Sequence, residues 1–230
     1  MNAHPAQPSL EEVAEFALHT LKATGIIDVG APAPNWAAFI EAQRRIEGFE
    51  VPWTTVTPLM RRFFYALSAA AQPKRIVGAG TYAGFAFAWF VMGQAQGQCS
   101  SPLVEAVGLD IDAEATTLAR RNAKALGLGA RVRFEQAEAA TWLRGFDSPI
   151  SLLYIDIDAP GSRKGGYIQV LEAARLKLIP GGLVVAHDPC VPFFAADFEH
   201  FHDVIKGDSG LRGPQILPLD ECGVSVCRAA

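Results

Sequence analysis

Short apolar runs at residues 74–78, 104–110, 131–135, 151–156 and 182–187 alternate with helical patterns, and this alternation constrains the fold more tightly than any single motif. Two parallel strands can be joined only through a crossover, so a repeated strand–helix unit predicts an α/β fold, a parallel sheet with helices on both faces. Two further runs, 215–219 and 223–227, are close enough to pair as a hairpin. With 230 residues, half of them hydrophobic, the chain can bury one sizeable core. Ligands of such sheets bind beyond the carboxyl ends of the strands, so those ends are where chemistry is expected.

The residues before the sheet read as helices. Residues 10–24 carry Val13, Phe16, Ala17 and Leu21 at helical spacing, and Ser9 with Glu12 forms a capping box. Residues 31–34 break the chain before a second helix over 35–46. Thr57-Pro58 starts a third, with Leu59, Phe63, Leu67 and Ala71 on one face, ending before Pro73. The expected organisation is a tail and helical cap over 1–56 and a ligand-binding domain over 57–230, built as one compact unit. Residues 1–8 are polar and proline-bearing, without the basic start and apolar run of a secretory signal, and read as a frayed tail.

Charge and composition exclude several classes of partner. A formal net charge of −4 gives no basic field to gather phosphates, so nucleic acid is not expected. Residues 76–93 are apolar enough to resemble a membrane span, but Gly78, Gly80 and Gly84 punctuate them, and no membrane association is expected. Cys99, Cys190, Cys222 and Cys227 lack the close spacing of zinc sites or redox dithiols and read as reduced thiols of a cytoplasmic protein.

The strand ends carry the polar residues. Gly78-Ala79-Gly80-Thr81-Tyr82-Ala83-Gly84 joins a strand to a helix, where glycines let the backbone turn tightly and approach a ligand. Gly84 lies four residues after Gly80, one more than the dinucleotide fingerprint allows, which speaks against NAD. Asp110 ends the next strand, where a carboxylate can accept two ribose hydroxyls, while Asp112 reads as a helix cap. Ala137 and Glu138 follow the third strand, where a small residue beside polar groups could receive an adenine ring. Asp156 and Asp158 follow the fourth, two carboxylates that can hold a hard cation, take a proton, or cap the following loop. His187 and Asp188 end the fifth, with an imidazole whose ordinary pKa lies near neutrality.

With these residues in place, 57–228 resembles the class I S-adenosylmethionine-dependent methyltransferases, specifically the cation-dependent caffeoyl-CoA and catechol O-methyltransferases. The matching segments are Val56-Thr57-Pro58-Leu59, Gly80-Thr81-Tyr82-Ala83-Gly84-Phe85, the ribose acid Asp110, and the run from Ile216 to Arg228 through the acidic turn Asp220-Glu221. The resemblance implies a Rossmann-like, seven-stranded, mostly parallel sheet whose last strand runs antiparallel, with helices on both faces and an N-terminal helical cap. It implies S-adenosylmethionine over Thr57, Gly78, Gly80, Tyr82, Gly84, Phe85, Asp110, Ala137, Glu138 and Asp156, and a homodimer. The family's metal ligands fall on Asp156, Asp188 and Pro189, so a Mg²⁺ ion is expected at Asp156 and Asp188 with one ligand missing, because proline has no side-chain oxygen.

Two further departures bear on chemistry. The family ends its first strand in an acid, where this chain has Gly78. The family's lysine three residues after the first metal aspartate is replaced by Ala159, while Lys164 and Tyr167 keep the lysine–tyrosine spacing, as if residues were inserted around 160–163. The expected activity is methyl transfer to a hydroxyl of a small, aromatic acceptor, with His187 or Lys164 as base, Asp158 beside them, and Asp156 binding a cation or orienting the base. Trp53, Phe193 and Phe194 are candidates for the acceptor wall. The alternatives are metal-free methylation at nitrogen or carbon, a nucleotide-binding oxidoreductase, and a silent fold that binds cofactor or a protein partner.

Overall fold

The computed structural model of the chain describes residues 7–53, 55–96, 102–159 and 161–230. The tail at 1–6, Cys99 and Pro160 lie outside the described residues. Three helices come first: α1 (Leu10–Ala23), α2 (Trp36–Ile46) and α3 (Pro58–Ala71). Ser9 and Glu12 cap α1 reciprocally, Asn35 caps α2, and Thr57 caps α3 with Pro58 in its first turn. Then follow β1 (Arg75–Ala79), α4 (Phe85–Gln96), β2 (Glu105–Asp110), α5 (Ala113–Leu126), β3 (Val132–Gln136), α6 (Ala139–Arg144), β4 (Ile150–Ile155) and α7 (Gly166–Ala174). β5 (Leu178–His187), α8 (Ala195–Gly207), β6 (Leu211–Leu217) and β7 (Val224–Ala229) complete the order.

The seven strands form one sheet in the order β3-β2-β1-β4-β5-β7-β6, with β7 antiparallel to both its neighbours and the other pairings parallel. The strand order reverses between β1 and β4, which places the ligand crevice at their carboxyl ends. One face is covered by α1 to α5, with Phe39, Phe63, Phe64, Trp89 and Phe90 fully buried between helices and sheet. The other is covered by α6, α7 and α8, through Tyr167, Phe198 and Phe201. Leu18, Leu21 and Phe39 of the helical cap belong to the same apolar cluster as β1 and α4.

The charge-free stretch that resembles a membrane span resolves into β1, a glycine turn and α4. α4 is apolar all round because it is enclosed all round, by the sheet beneath and by α2 and α3 above. No helix among the described residues is long and apolar enough to cross a membrane.

β1 to β4 begin and end within one residue of their sequence-based bounds. β5 starts four residues earlier than expected, because Pro180-Gly181-Gly182 lies inside the strand and is absorbed by a register shift against β4 between Ile150 and Leu152. β6 likewise starts early, at Leu211. It is an edge strand, which tolerates Pro214, and its register with β7 shifts between Arg212 and Gln215.

α3 and α4 approach so closely that a Cβ on Gly93 would lie 2.2 Å from the Tyr65 carbonyl oxygen, and Ser68 Oγ donates to the Phe90 carbonyl at 2.6 Å. Alanine at 93 would gain about 1 kcal/mol of helix propensity. The overlap is with backbone, however, and cannot be relieved by a rotamer change; overpacking of this kind costs about 1–3 kcal/mol. Gly93→Ala should therefore lower the urea unfolding midpoint, and an unchanged or raised midpoint would show that the helices separate freely.

Candidate active site

The turn after β1 is built from three residues in the left-handed region, Gly80 (φ 77°), Tyr82 (φ 46°) and Gly84 (φ 80°). A Cβ on Gly80 would lie 2.1 Å from the Asp156 carbonyl oxygen, so the turn passes the end of β4 only because position 80 has no side chain. Tyr82 is the costly member, since a non-glycine residue pays for this conformation. Its N–H donates to Asp110 Oδ2 at 2.7 Å, and the Gly80 and Thr81 amides donate to the Leu109 carbonyl. Phe85 opens α4 with its ring packed edge-on against Phe49 and Trp89 under the Arg61 guanidinium, so what it brings to the crevice is the helix start.

Gly78 lies inside β1 rather than at its end. A Cβ there would meet Phe87 at 2.6 Å and Thr81 at 2.7 Å, so the acid that the family resemblance would place at this position has no room.

Asp110 bridges two turns, its other oxygen accepting the Asp112 N–H at 3.0 Å, while Asp112 caps α5 as expected. The Ala137 amide donates to the Asp110 carbonyl at 2.9 Å, which brings the end of β3 beside Asp110. Glu138 caps α6: its carboxylate accepts the Ala140 and Thr141 amides at 2.8 and 2.7 Å and is held below its ordinary pKa by those bonds against the opposing effect of burial. Thr57 is likewise structural in its visible contacts. Its hydroxyl donates to Asp220 Oδ2 at 2.6 Å, and Asp220 Oδ1 accepts the Cys222 and Gly223 amides, tying the start of α3 to the β6–β7 turn.

Four ionisable residues converge where β4 and β5 end. Lys164 Nζ lies 3.2 Å from Asp156 Oδ1 and 2.8 Å from Asp188 Oδ2; His187 Nδ1 lies 3.1 Å from Asp188 Oδ1 and 3.5 Å from Asp156 Oδ2. The Tyr154 hydroxyl donates to Asp156 Oδ2 at 2.9 Å, and Tyr167 donates to the His187 carbonyl at 3.2 Å. Burial works to lower His187, but the Asp156 and Asp188 carboxylates outweigh it and push the imidazole up to about 10. Lys164 is raised by the same two carboxylates against the same opposition. Burial works to raise Asp156, which is nonetheless held well below the carboxylate range by His187, Lys164 and Tyr154. At neutral pH the group is two anions facing two cations. His187 Nε2 is buried and has no hydrogen-bond partner among the described residues.

The loop after β4 explains how Lys164 arrives there. Ala159 and Arg163 pair as an antiparallel bridge, and Lys164, the residue after it, reaches Asp156. Asp158 is exposed and stands outside the network. Phe194 lies under Lys164, with Nζ 5.2 Å from its ring centre, and Phe193 lies under Arg163 at 4.3 Å while remaining 67% exposed. Trp53 is 84% exposed. Tyr154 and Ile111, the latter 61% exposed beside Asp110, carry no site role in the sequence reading. Tyr154 carried a usable signal, since residues two apart on a strand share a face and its hydroxyl follows Asp156 to the same end.

Asp156 and Asp188 do not fit a divalent ion as arranged, because both carboxylates already hold the Lys164 ammonium and Pro189 supplies no third oxygen. His187, Asp188 and Cys222 also place possible ligand atoms within 4.8 Å of one another. Burial and the Asp188 charge push the Cys222 thiol up to about 12, however, which opposes the thiolate form that a metal binds. Concavities of about 280 and 450 Å³ lie at the opposite end of the sheet, around Ile27, Gly181 and Arg228, where strand order predicts no ligand.

Residues 77–189, just under half of the chain, match a family model described as a methyltransferase domain. No curated protein matches the sequence. Among solved structures, an O-methyltransferase from Bacillus cereus in complex with SAH shares 17% identity over 96% of this chain and 100% of that one, with a TM-score of 0.67. Cofactor-bound Rv0187 from MTB shares 20% over 97% and 99%, at 0.66. The O-methyltransferase TomG from Streptomyces achromogenes, in complex with SAM, shares 15% over 97% and 100%, at 0.64. The expected seven-stranded, Rossmann-like fold is thereby borne out.

The raised pKa of His187 has a stability consequence of definite sign. A group whose folded pKa lies above its ordinary value of 6.5 stabilises the fold fully below about 6.5 and loses that contribution as pH rises through about 10. The difference in thermal midpoint between the natural protein and His187→Gln should therefore shrink steadily over that window. A difference independent of pH would mean that the folded His187 pKa is not raised.

Proposed function

We propose that this chain, which carries a methyltransferase domain on the class I fold, moves a methyl group from S-adenosylmethionine to a hydroxyl oxygen of a small, aromatic acceptor. The observation that carries the reading is the meeting, at the strand-order reversal, of a glycine turn that a Cβ would block and a ribose-type acid hydrogen-bonded to it. Asp110 accepts the ribose hydroxyls with the lone pairs left free by Tyr82 and Asp112, and Ile111 and Ala137 offer apolar surface to the adenine ring.

When bound, S-adenosylmethionine supplies a sulfonium methyl group open to in-line displacement. An acceptor oxygen aligned behind that methyl would take it as the carbon–sulfur bond broke with its electron pair going to sulfur, so this chain's residues have to orient the acceptor and handle its proton. Both His187 and Lys164 are protonated in the resting network, so their first role is to lower the pKa of an acceptor hydroxyl brought beside them. Asp158 is exposed and outside the network, so the acceptor proton leaves directly to water. Phe193 and Phe194 form an aromatic wall next to the network, which favours a flat acceptor.

A second reading, transfer to nitrogen or carbon without metal, is favoured by the lysine between the two carboxylates, and mass analysis of the product separates the two. The same proposal places the protein in the reducing cytoplasm, where Cys190, Cys222 and Cys227 stay free, and pairs it as a homodimer through exposed apolar residues such as Phe16 of α1. Light scattering should then return twice the 24.7 kDa chain mass.

Calorimetric titration with S-adenosylhomocysteine tests the cofactor. Saturable binding is expected, weakened about 10- to 100-fold in Asp110→Ala, the range for losing hydrogen bonds to a charged group. Absence of binding, or preferential binding of NADH, would end the methyltransferase reading. Methyl transfer from labelled cofactor to a panel of phenols tests the acceptor class, and product formed only with amines would replace it.

A further inference from the structure

We infer that Lys164 is the resident cation of this cleft: its ammonium holds the space between Asp156 and Asp188, so the site works without a divalent ion and engages a single acceptor oxygen. The first part stands on geometry alone. Nζ bonds both carboxylates, at 3.2 and 2.8 Å, and the side chain is 5% exposed, with Nζ packed over the rings of Tyr167 and Phe194. The Ala159–Arg163 bridge fixes the loop that delivers it, so the lysine is placed by the fold rather than drifting in from the surface.

Charge and donor count point the same way. His187 Nδ1 already faces the second oxygen of each carboxylate, and Tyr154 donates to Asp156 as well. A hard dication would have to displace the Lys164 ammonium from both carboxylates, and it demands a full shell of oxygens that Pro189 does not help supply.

An ammonium has three donors. With one on Asp156 and one on Asp188, a single N–H remains for a substrate, whereas a hard divalent ion keeps several open positions and can chelate two adjacent oxygens. This second part rests on the methyltransferase reading above. It narrows the acceptor to molecules with one isolated hydroxyl or carboxylate rather than a vicinal pair.

Manganese binding decides the first part without any turnover. The natural protein, titrated with Mn²⁺ by calorimetry and by electron paramagnetic resonance, should show no saturable binding. Lys164→Ala combined with Pro189→Asn, which vacates the space and restores a third oxygen, should bind Mn²⁺ and gain thermal stability from it. Saturable Mn²⁺ binding by the natural protein overturns the inference, and so does a folded double variant that binds none. If the double variant does not fold, the result for the natural protein decides. For the second part, turnover should be unchanged in EDTA and kcat/KM should favour a monophenol over its vicinal diol. Loss of turnover in EDTA, or preference for the diol, overturns it, whereas absence of S-adenosylhomocysteine binding fails the broader reading and leaves the manganese result standing.

Discussion

The contact between the end of β1 and the end of β4 is the constraint on which the rest of the site depends. The Asp156 amide donates to the Ala79 carbonyl at 2.8 Å, and one residue later the backbone of Gly80 passes the Asp156 carbonyl with no space for a side chain. That single approach fixes both halves of the crevice. On one side it sets the left-handed turn that presents the Tyr82 amide to Asp110; on the other it aims the Asp156 side chain toward Lys164 and His187. A substitution that moved either strand end would disturb ligand recognition and charge pairing together.

The charge network is stable only as a complete set. Moving a charged group out of water costs several kcal/mol even after relaxation, and mutual attraction offsets this only when the geometry is good and the remaining polar positions are filled. Tyr154 fills one such position on Asp156 and Tyr167 bonds the His187 carbonyl, while His187 Nε2 stays buried without a partner among the described residues. Asp188 adds a cost of its own, a left-handed backbone with φ of 73°, which turns its carboxylate back toward the two cations. Strain and buried charge gathered at one strand end are expected of a functional site, where local stability yields to chemistry.

Most of the fold was legible because its periodicities are local. The capping box at Ser9, the Thr57-Pro58 helix start, the Asp112 cap and the first four strands are encoded within a few neighbouring residues. The early start of β5 was hidden because Pro180-Gly181-Gly182 reads as a break, and only a pairing shift in a neighbouring strand keeps it in the sheet. In the site, Asp110, Asp156, His187 and Asp188 were visible from their places at strand ends. What could not be read was where Lys164 goes, since that depends on how the loop from Ala159 to Arg163 closes, and which acids are spent on capping, as Glu138 and Asp220 are. Such roles depend on contacts across long stretches of chain.

The position of β7 also governs the order in which the sheet can be completed. It lies between β5 and β6 although it follows both in sequence, pairing with Leu183 to His187 on one side and with Leu211 to Leu217 on the other. During synthesis from the amino end, β5 therefore emerges with an open edge, and the Asp188 amide waits for its Gly223 carbonyl until the final hairpin is available. The turn that positions Asp188 is consequently formed among the last pieces of the molecule, and a nascent chain stalled after α8 would hold a nearly complete crevice without its anchored acid.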